Sequence, residues 1–333
     1  MKVFRLYAPS LEELRLVEEP KPSPGPGEVL VRLRAASLNF KDLLFVKSPE
    51  EGGIALGKPT IPVSDGAGEI VEVGSGVGAW AVGDRVTSVV VQKWFEGPIP
   101  ADAMARALGC GEEGVLSQYR VFSEDALVRL PEGCSFEEGA TLPIAALSAW
   151  NGVQHARPGE TVLILGTGGV ALFGLQFAKA LGARTIITSS SDEKLDRARA
   201  LGADETINYR THENWHEIVL KMTEGRGADH VVETVSGSNL TQSVAATAIG
   251  GHVYLVGLQD RGLMDPYQIQ FRAVNVHGIR MGSKTMFESM MEAVERHKIT
   301  PVIDHVFRFE ETVDAYNYLK KAGHFGKIVI SID

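Results

Sequence analysis

Residues 161–182, TVLILGTGGVALFGLQFAKALG, narrow most sharply what this chain can fold into. The first five are apolar or β-branched, the composition of a strand buried on both faces of a parallel sheet. Gly166, Gly168 and Gly169 follow, and then a run whose polar residues, Gln176 and Lys179, lie three apart. That is a helix with one narrow wet stripe, and Gly182 supplies its stop. Gly166-Thr167-Gly168-Gly169-Val170-Ala171 fits G-x-G-x-x-G/A. In such a loop the first glycine permits a tight turn and the second lets the backbone approach a pyrophosphate. The small last residue lets helix and strand pack, and free N–H groups at the helix start hold the anion. The motif follows a strand, opens a helix and precedes further strand–helix units, the context that gives it weight. The plain alternative is a glycine turn that binds nothing.

With 333 residues the chain is long enough for two domains, each with a sizeable core. No apolar run reaches the ~18 residues of a membrane span, and MKVFRLYAPS alternates like a strand rather than a signal peptide. Cys110 and Cys134 make no disulfide framework, so a cytoplasmic setting is expected. A net charge of −9 without a basic cluster argues against nucleic acid or an anionic membrane as main partner.

The first ~120 residues read as β-rich, with strand patterns at 2–7, 28–34, 69–74 and 84–91 and glycines marking the tight corners of a small barrel. Segment 92–118 breaks the pattern with Trp94, Phe95, Pro98, Pro100 and a helix expected at 102–108. It reads either as a binding lid or as a flap with its own apolar contact. Beyond it, strand patterns at 161–165, 184–188, 205–208, 230–234, 252–256 and 275–280 alternate with helical ones. Six such strands complete a doubly wound dinucleotide fold, and the tail from 285 lies beyond them.

Five segments, PGPGEVLVRLRAASLNFKD (24–42), DGAGEIVEVGSGVGAWAVGDRV (65–86), EEGATLPIAALSAW (137–150), VLILGTGGVALFGLQFAK (162–179) and HFGKIVI (324–330), resemble the medium-chain dehydrogenase/reductase superfamily in residues and order. The resemblance implies an α/β protein with a GroES-like β-barrel catalytic domain (1–122 and 284–333) and a six-stranded Rossmann domain (123–283). Within the superfamily the chain is more similar to the zinc-independent, quinone oxidoreductase-like branch. Classical members hold Zn²⁺ with cysteine, histidine and a further cysteine or acid. Here Asn39 stands at the first ligand position, Val63-Ser64-Asp65 replaces G-H-E, and the later position falls at 144–146. No catalytic or structural zinc is expected. His212-Glu-Asn-Trp-His216 fits H-E-x-x-H, but His212 is expected to precede its helix, so no metal site is expected there either.

An NAD enzyme of this fold usually carries an acid about 20 residues after the glycines, against the ribose hydroxyls. This chain has Ser189-Ser190-Ser191-Asp192-Glu193-Lys194 there. Serine hydroxyls donate to a 2′-phosphate and a lysine neutralises it, so NADP(H) is expected, with Ser189, Ser190 and Lys194 as contacts. Related NADPH reductases use a lysine at the Lys194 position, by resemblance. Two alternatives stay open: Ser190 and Glu193 as a capping box, and Asp192 turned to the ribose. Tyr209 reads either as a flank of the adenosine or as an ordinary strand-end aromatic. Thr234, Val235, Gly257 and Leu258 end two strands where this fold opens its ligand crevice. Phe325-Gly326-Lys327 resembles the family's strand beside the nicotinamide.

Without zinc no Lewis acid polarises a carbonyl, and hydride transfer suits an acceptor already electrophilic, a quinone or α,β-unsaturated carbonyl. The resemblance implies catalytic roles for Asn39 and Asp42; an Asx turn is their plain reading. Phe40, Trp94 and Phe95 are candidates for the apolar wall around a planar substrate. The expectation is therefore an NADPH-dependent reductase of a small molecule. Alternatives are a metal-free alcohol or aldehyde oxidoreductase and a non-catalytic nucleotide- or RNA-binding relative. By resemblance, a homodimer through sheet-edge segments 252–258 or 275–280 is expected.

Overall fold

The computed structural model describes residues 1–55, 57–257, 259 and 262–333, so the expected contact Leu258 lies outside the described residues. Two compact units divide them, Met1–Ile144 with Met281–Asp333, and Ala145–Arg280.

The first unit is built on an 11-residue strand. After the antiparallel pair β1 (Lys2–Leu6) and β2 (Leu14–Glu18), β3 (Glu28–Leu38) runs almost entirely buried into the short helix α1 (Asp42–Phe45). β4 (Asp65–Val73), β5 (Arg85–Ser88), β6 (Tyr119–Ser123), β7 (Leu127–Arg129) and the one-turn helix α2 (Phe136–Gly139) follow. β3 pairs antiparallel with β4 and β6, and β4 passes on to β5 and β7. Two register shifts between β3 and β4 bend the sheet, as bulges do. Gly68 permits their approach, since a Cβ there would lie 2.1 Å from the carbonyl oxygen of Arg32. Valine, leucine and isoleucine side chains of β1, β3 and β4 fill the interior. β7 and α2 belong to this unit, which runs to Ile144 rather than ending at 122.

The second unit opens with α3 (Leu147–Val153) and β8 (Thr161–Leu165), every residue of which is buried. Then α4 (Gly169–Ala180), β9 (Arg184–Ser189), α5 (Asp192–Ala200), β10 (Glu205–Asn208), α6 (Trp215–Met222), β11 (Ala228–Glu233), α7 (Asn239–Ala246), β12 (Thr247–Leu255), α8 (Pro266–Phe271) and β13 (Asn275–Gly278) complete it. The six strands lie in the order β10-β9-β8-β11-β12-β13, all parallel. The order reverses at β8, where this architecture binds its ligand. Leu163, Ile186, Ile207, Val231 and Val253 pack on Trp215 and Val219 of α6. β12 lies between β11 and β13, so 252–258 is not an edge; β13 is.

Past Met281 the chain rejoins the first unit. α9 (Lys284–His297), capped by Ser283, leads to β14 (Ile303–Arg308), α10 (Thr312–Lys320) and β15 (Lys327–Ser331). β15 pairs parallel with β14 and antiparallel with β3, Ile328 opposite Leu38. Among the described residues no helix is long and apolar enough to cross a membrane.

Candidate active site

Each unit presents one cluster of the expected residues. In the second, β8 ends at Leu165 and the chain turns at Gly166, whose φ of 81° suits glycine. Two threonines brace the turn. Thr188 Oγ1 accepts from the Gly166 N–H at 3.3 Å, and the Thr234 hydroxyl donates to the Leu165 carbonyl at 2.5 Å. Gly168 is the N-cap of α4 and offers no side chain to its first N–H groups. A Cβ on Gly168 would meet nothing within 4 Å. An uncapped helix start beside open space is what a pyrophosphate requires, and the residues fit that group. Thr167 is buried, Gly169 opens the helix and Val170 lies in its first turn.

The serine run ends β9. Ser189 is buried with its Oγ accepting from the Ser191 N–H, while Ser190 and Lys194 are half-buried. The helix cap is Ser191, which accepts from the Lys194 N–H at 3.3 Å; this corrects the expected Ser190–Glu193 box by one residue. Asp192 accepts from Asn208 Nδ2 at 2.8 Å, so its carboxylate is already engaged. Tyr209 is exposed just past β10.

Sequence reading missed Glu233. Fully buried at the end of β11, its carboxylate accepts from the N–H groups of Val235 (2.7 Å) and Ser236 (3.0 Å), from Asn239 Nδ2 and from the Ser243 hydroxyl. These bonds hold Ser236 at a φ of 75°, unusual for a residue with a side chain. The Ser236 hydroxyl donates to the Gly257 carbonyl. A Cβ on Gly257 would lie 2.4 Å from the Thr234 backbone, so only glycine lets these two strand ends come together.

In the first unit, β3 ends at Asn39. Its N–H donates to Asp42 Oδ2 at 2.7 Å, the Asx-type turn of the plain reading, with Asp42 buried and 3.3 Å from Lys41 Nζ. Lys327 meets Asn39 from β15. Its ammonium donates to the Leu38 carbonyl and to Asn39 Oδ1, both at 2.7 Å, and the residue is 3% exposed. Lys327, an expected cofactor contact, spends both of these bonds on the end of β3 and the residue after it. Asp65, fully buried at the start of β4, accepts from the Ser64 hydroxyl at 2.7 Å and the Ile144 N–H at 3.2 Å. Burial pushes its pKa up, while the charges of Lys327 and Lys41 and a contact with Asn39 oppose the rise. Burial likewise pulls the Lys327 pKa down to about 8, against the charges of Asp65 and Asp42. Asn39 Nδ2 is buried without a well-formed hydrogen bond among the described residues. Val63, two residues before Asp65, holds a φ of 66°, strained for a β-branched residue.

The apolar-wall candidates part company. Trp94 is buried with Val91, Ala103 and Ala107, and its indole donates to the Gly97 carbonyl at 3.0 Å, so its ring is the flap's own core. Residues 102–106 form turns rather than the expected helix. Phe95 is 36% exposed, and Phe40 packs half-buried on the barrel core. Phe325 is buried, and Gly326 turns at a φ of 97° where a Cβ would lie 2.3 Å from the Val302 carbonyl oxygen. His212 stands in a turn before α6 and His216 Nδ1 lies 2.9 Å from Gln242 Oε1.

Known proteins can be set beside this geometry. A model of alcohol dehydrogenase GroES-like domains matches residues 25–132, and one of zinc-binding dehydrogenases matches 169–296. The zinc-type alcohol dehydrogenase-like protein C1773.06c of Schizosaccharomyces pombe is 43% identical over 92% of both chains. A quinone oxidoreductase of Pseudomonas aeruginosa is 38% identical over 68% of this chain and 64% of its own. The crystal structure of an NAD-dependent alcohol dehydrogenase superposes with a TM-score of 0.90, at 33% identity and full coverage of both chains. With a GroES-like barrel, a six-stranded dinucleotide fold and these relatives, the chain belongs to the medium-chain dehydrogenase/reductase superfamily.

Proposed function

We propose that this protein is a zinc-independent reductase that passes hydride from NADPH to a quinone or an α,β-unsaturated carbonyl. The observation that carries the reading is Lys327 on Asn39. At the first zinc-ligand position stands an amide whose oxygen already accepts from a buried ammonium, a cation that would repel Zn²⁺. The neighbouring position holds the Ser64 hydroxyl, which donates to Asp65.

On this reading the α4 start and the turn braced by Thr188 and Thr234 hold the pyrophosphate, with Gly166, Thr167, Gly168, Gly169 and Val170 forming the loop. Ser189, Ser190 and Lys194 take the 2′-phosphate, and Asn208 Nδ2 holds Asp192 Oδ1 at 2.8 Å. Tyr209 flanks the adenosine, and Thr234, Val235 and Gly257 bound the nicotinamide. Bound NADPH supplies the hydride; Asn39, Asp42 and Lys327 set the charge around the substrate, with Phe40 and Phe95 as apolar contacts. The free edge of β13 is the proposed seam of a cytoplasmic homodimer, checked by light scattering.

The test is a titration of metal-stripped protein with NADPH and NADH, then turnover of quinones and enones. Tighter NADPH binding with metal-independent turnover supports the proposal. Activity that appears only when Zn²⁺ is added back overturns it.

A further inference from the structure

Lys327 is a buried cation without an ion-pair partner. It is 3% exposed, and among the described residues no carboxylate lies within 4.0 Å of its nitrogen; its two acceptors, the Leu38 carbonyl and Asn39 Oδ1, are neutral. An ammonium has three N–H donors, so one remains. Burying such a charge costs stability, and a fold that needed only a strand contact here would do better with an apolar residue. The carboxylates of Asp65 and Asp42 act on Lys327 through their charge without forming an ion pair with it. Asp65 from β4 spends its oxygens on Ser64 and Ile144, Asp42 on Asn39 and Lys41, and the buried hydroxyl of Tyr316 on α10 has no hydrogen-bond partner among the described residues. Val63, two residues before Asp65 in the chain, holds its positive φ of 66°.

We infer that Lys327 is the acid of the reaction, meeting the substrate's oxygen with its third N–H and giving it a proton as hydride arrives. This rests on the reductase reading above. For an enone, a bound reduced nicotinamide would supply the hydride that makes the C–H bond at the β-carbon, and the double-bond electrons would move to the carbonyl oxygen. The Lys327 N–H bond then breaks as the O–H bond forms, and the neutral amine regains its proton from water. An acid works best when its pKa lies near the working pH. Burial brings Lys327 to about 8, with the carboxylates of Asp65 and Asp42 raising it and Lys41 lowering it.

The experiment compares wild type, Lys327→Met and Lys327→Arg in NADPH affinity, read by fluorescence without turnover, and in enone reduction from pH 6 to 10. The wild-type kcat is expected to fall as pH rises through about 8. Lys327→Met should lose about 100-fold or more in kcat and show no such fall, with its NADPH Kd within about twofold of wild type. Lys327→Arg should keep NADPH affinity and lose the fall, because arginine does not deprotonate in this range. Either variant keeping the wild-type profile overturns the assignment in favour of solvent as donor. NADPH affinity lost in step with kcat overturns it in favour of a cofactor contact. If Lys327→Met does not fold, Lys327→Arg decides. Wild type that binds NADPH but reduces neither quinone nor enone overturns the reductase reading, and this acid with it, before any variant is made.

Discussion

The hydroxyl of Thr234, at the end of β11, donates to the carbonyl of Leu165, at the end of β8, across 69 residues of sequence. The bond ties together the two central strands where the sheet order reverses. Thr234→Val should keep the fold but loosen the turn. With one hydrogen bond worth roughly 1 kcal/mol, NADPH affinity should fall about fivefold, read by fluorescence titration.

Gly168 separates the fold's need for glycine from the ligand's. Its φ is −81°, and an added Cβ meets nothing within 4 Å, so Gly168→Ala should leave the thermal midpoint within about 2 °C of wild type. NADPH binding should weaken about tenfold or more, because the methyl stands where the backbone meets the pyrophosphate. Gly166→Ala should lower the midpoint as well, since its φ is 81°.

Cofactor choice should turn on Lys194. Lys194→Ala is expected to weaken NADPH about tenfold while leaving NADH nearly unchanged, measured as the ratio of the two Kd values. Equal losses for both would remove Lys194 from the 2′-phosphate site.

Three histidines on β11, β12 and β13 stack with Tyr254. The His230 and His252 rings lie 5.6 Å apart, and His252 Nδ1 is 3.0 Å from His277 Nε2. Burial and the charges of His230 and His277 hold the His252 pKa below its ordinary 6.5, with Glu160 opposing. The unfolded chain therefore takes up this proton first on acidification. Stability is full above about pH 6.5 and declines as pH falls from there through the lower folded value. The thermal midpoint should drop over that window, and His252→Asn should flatten the drop.

The flap offers a contrast between neighbours. Trp94→Ala should cost about 3 kcal/mol or more of local stability, seen as faster amide exchange over 91–107, because it empties the flap's core. Phe95→Ala should leave exchange unchanged and raise the KM for quinone.

The doubly wound unit was legible because its signals are local: a buried strand, a glycine turn and a periodic helix follow one another in 22 residues. The barrel was legible in outline only. β3 and β4 meet through the pairs Ala35–Ala67 and Ala36–Gly66, small residues with weak strand preference, so 28–34 and 69–74 caught only their β-branched parts. β6 and β7 are too short to show a period. The serine cap shifted by one because three consecutive serines satisfy the same rule, and backbone φ chose Ser191. The environment of Lys327 and Asp65 had no sequence signal at all. It depends on strands 262 positions apart in the chain, and nothing in HFGKIVI states that its lysine is buried.

β15 sits between β14 and β3, so the first unit's sheet is extended by two strands made long after the others, and β15 is the one that joins them to β3. The second unit, Ala145–Arg280, is contiguous. On a ribosome the dinucleotide fold can therefore be complete while the earlier-made barrel still waits for Lys327 and its strand. Until then the apolar residues of β3 at Ala35–Leu38 have no partner on that side, and this is the interval in which a chaperone, a stalled codon or a neighbouring nascent chain would decide the yield of folded protein.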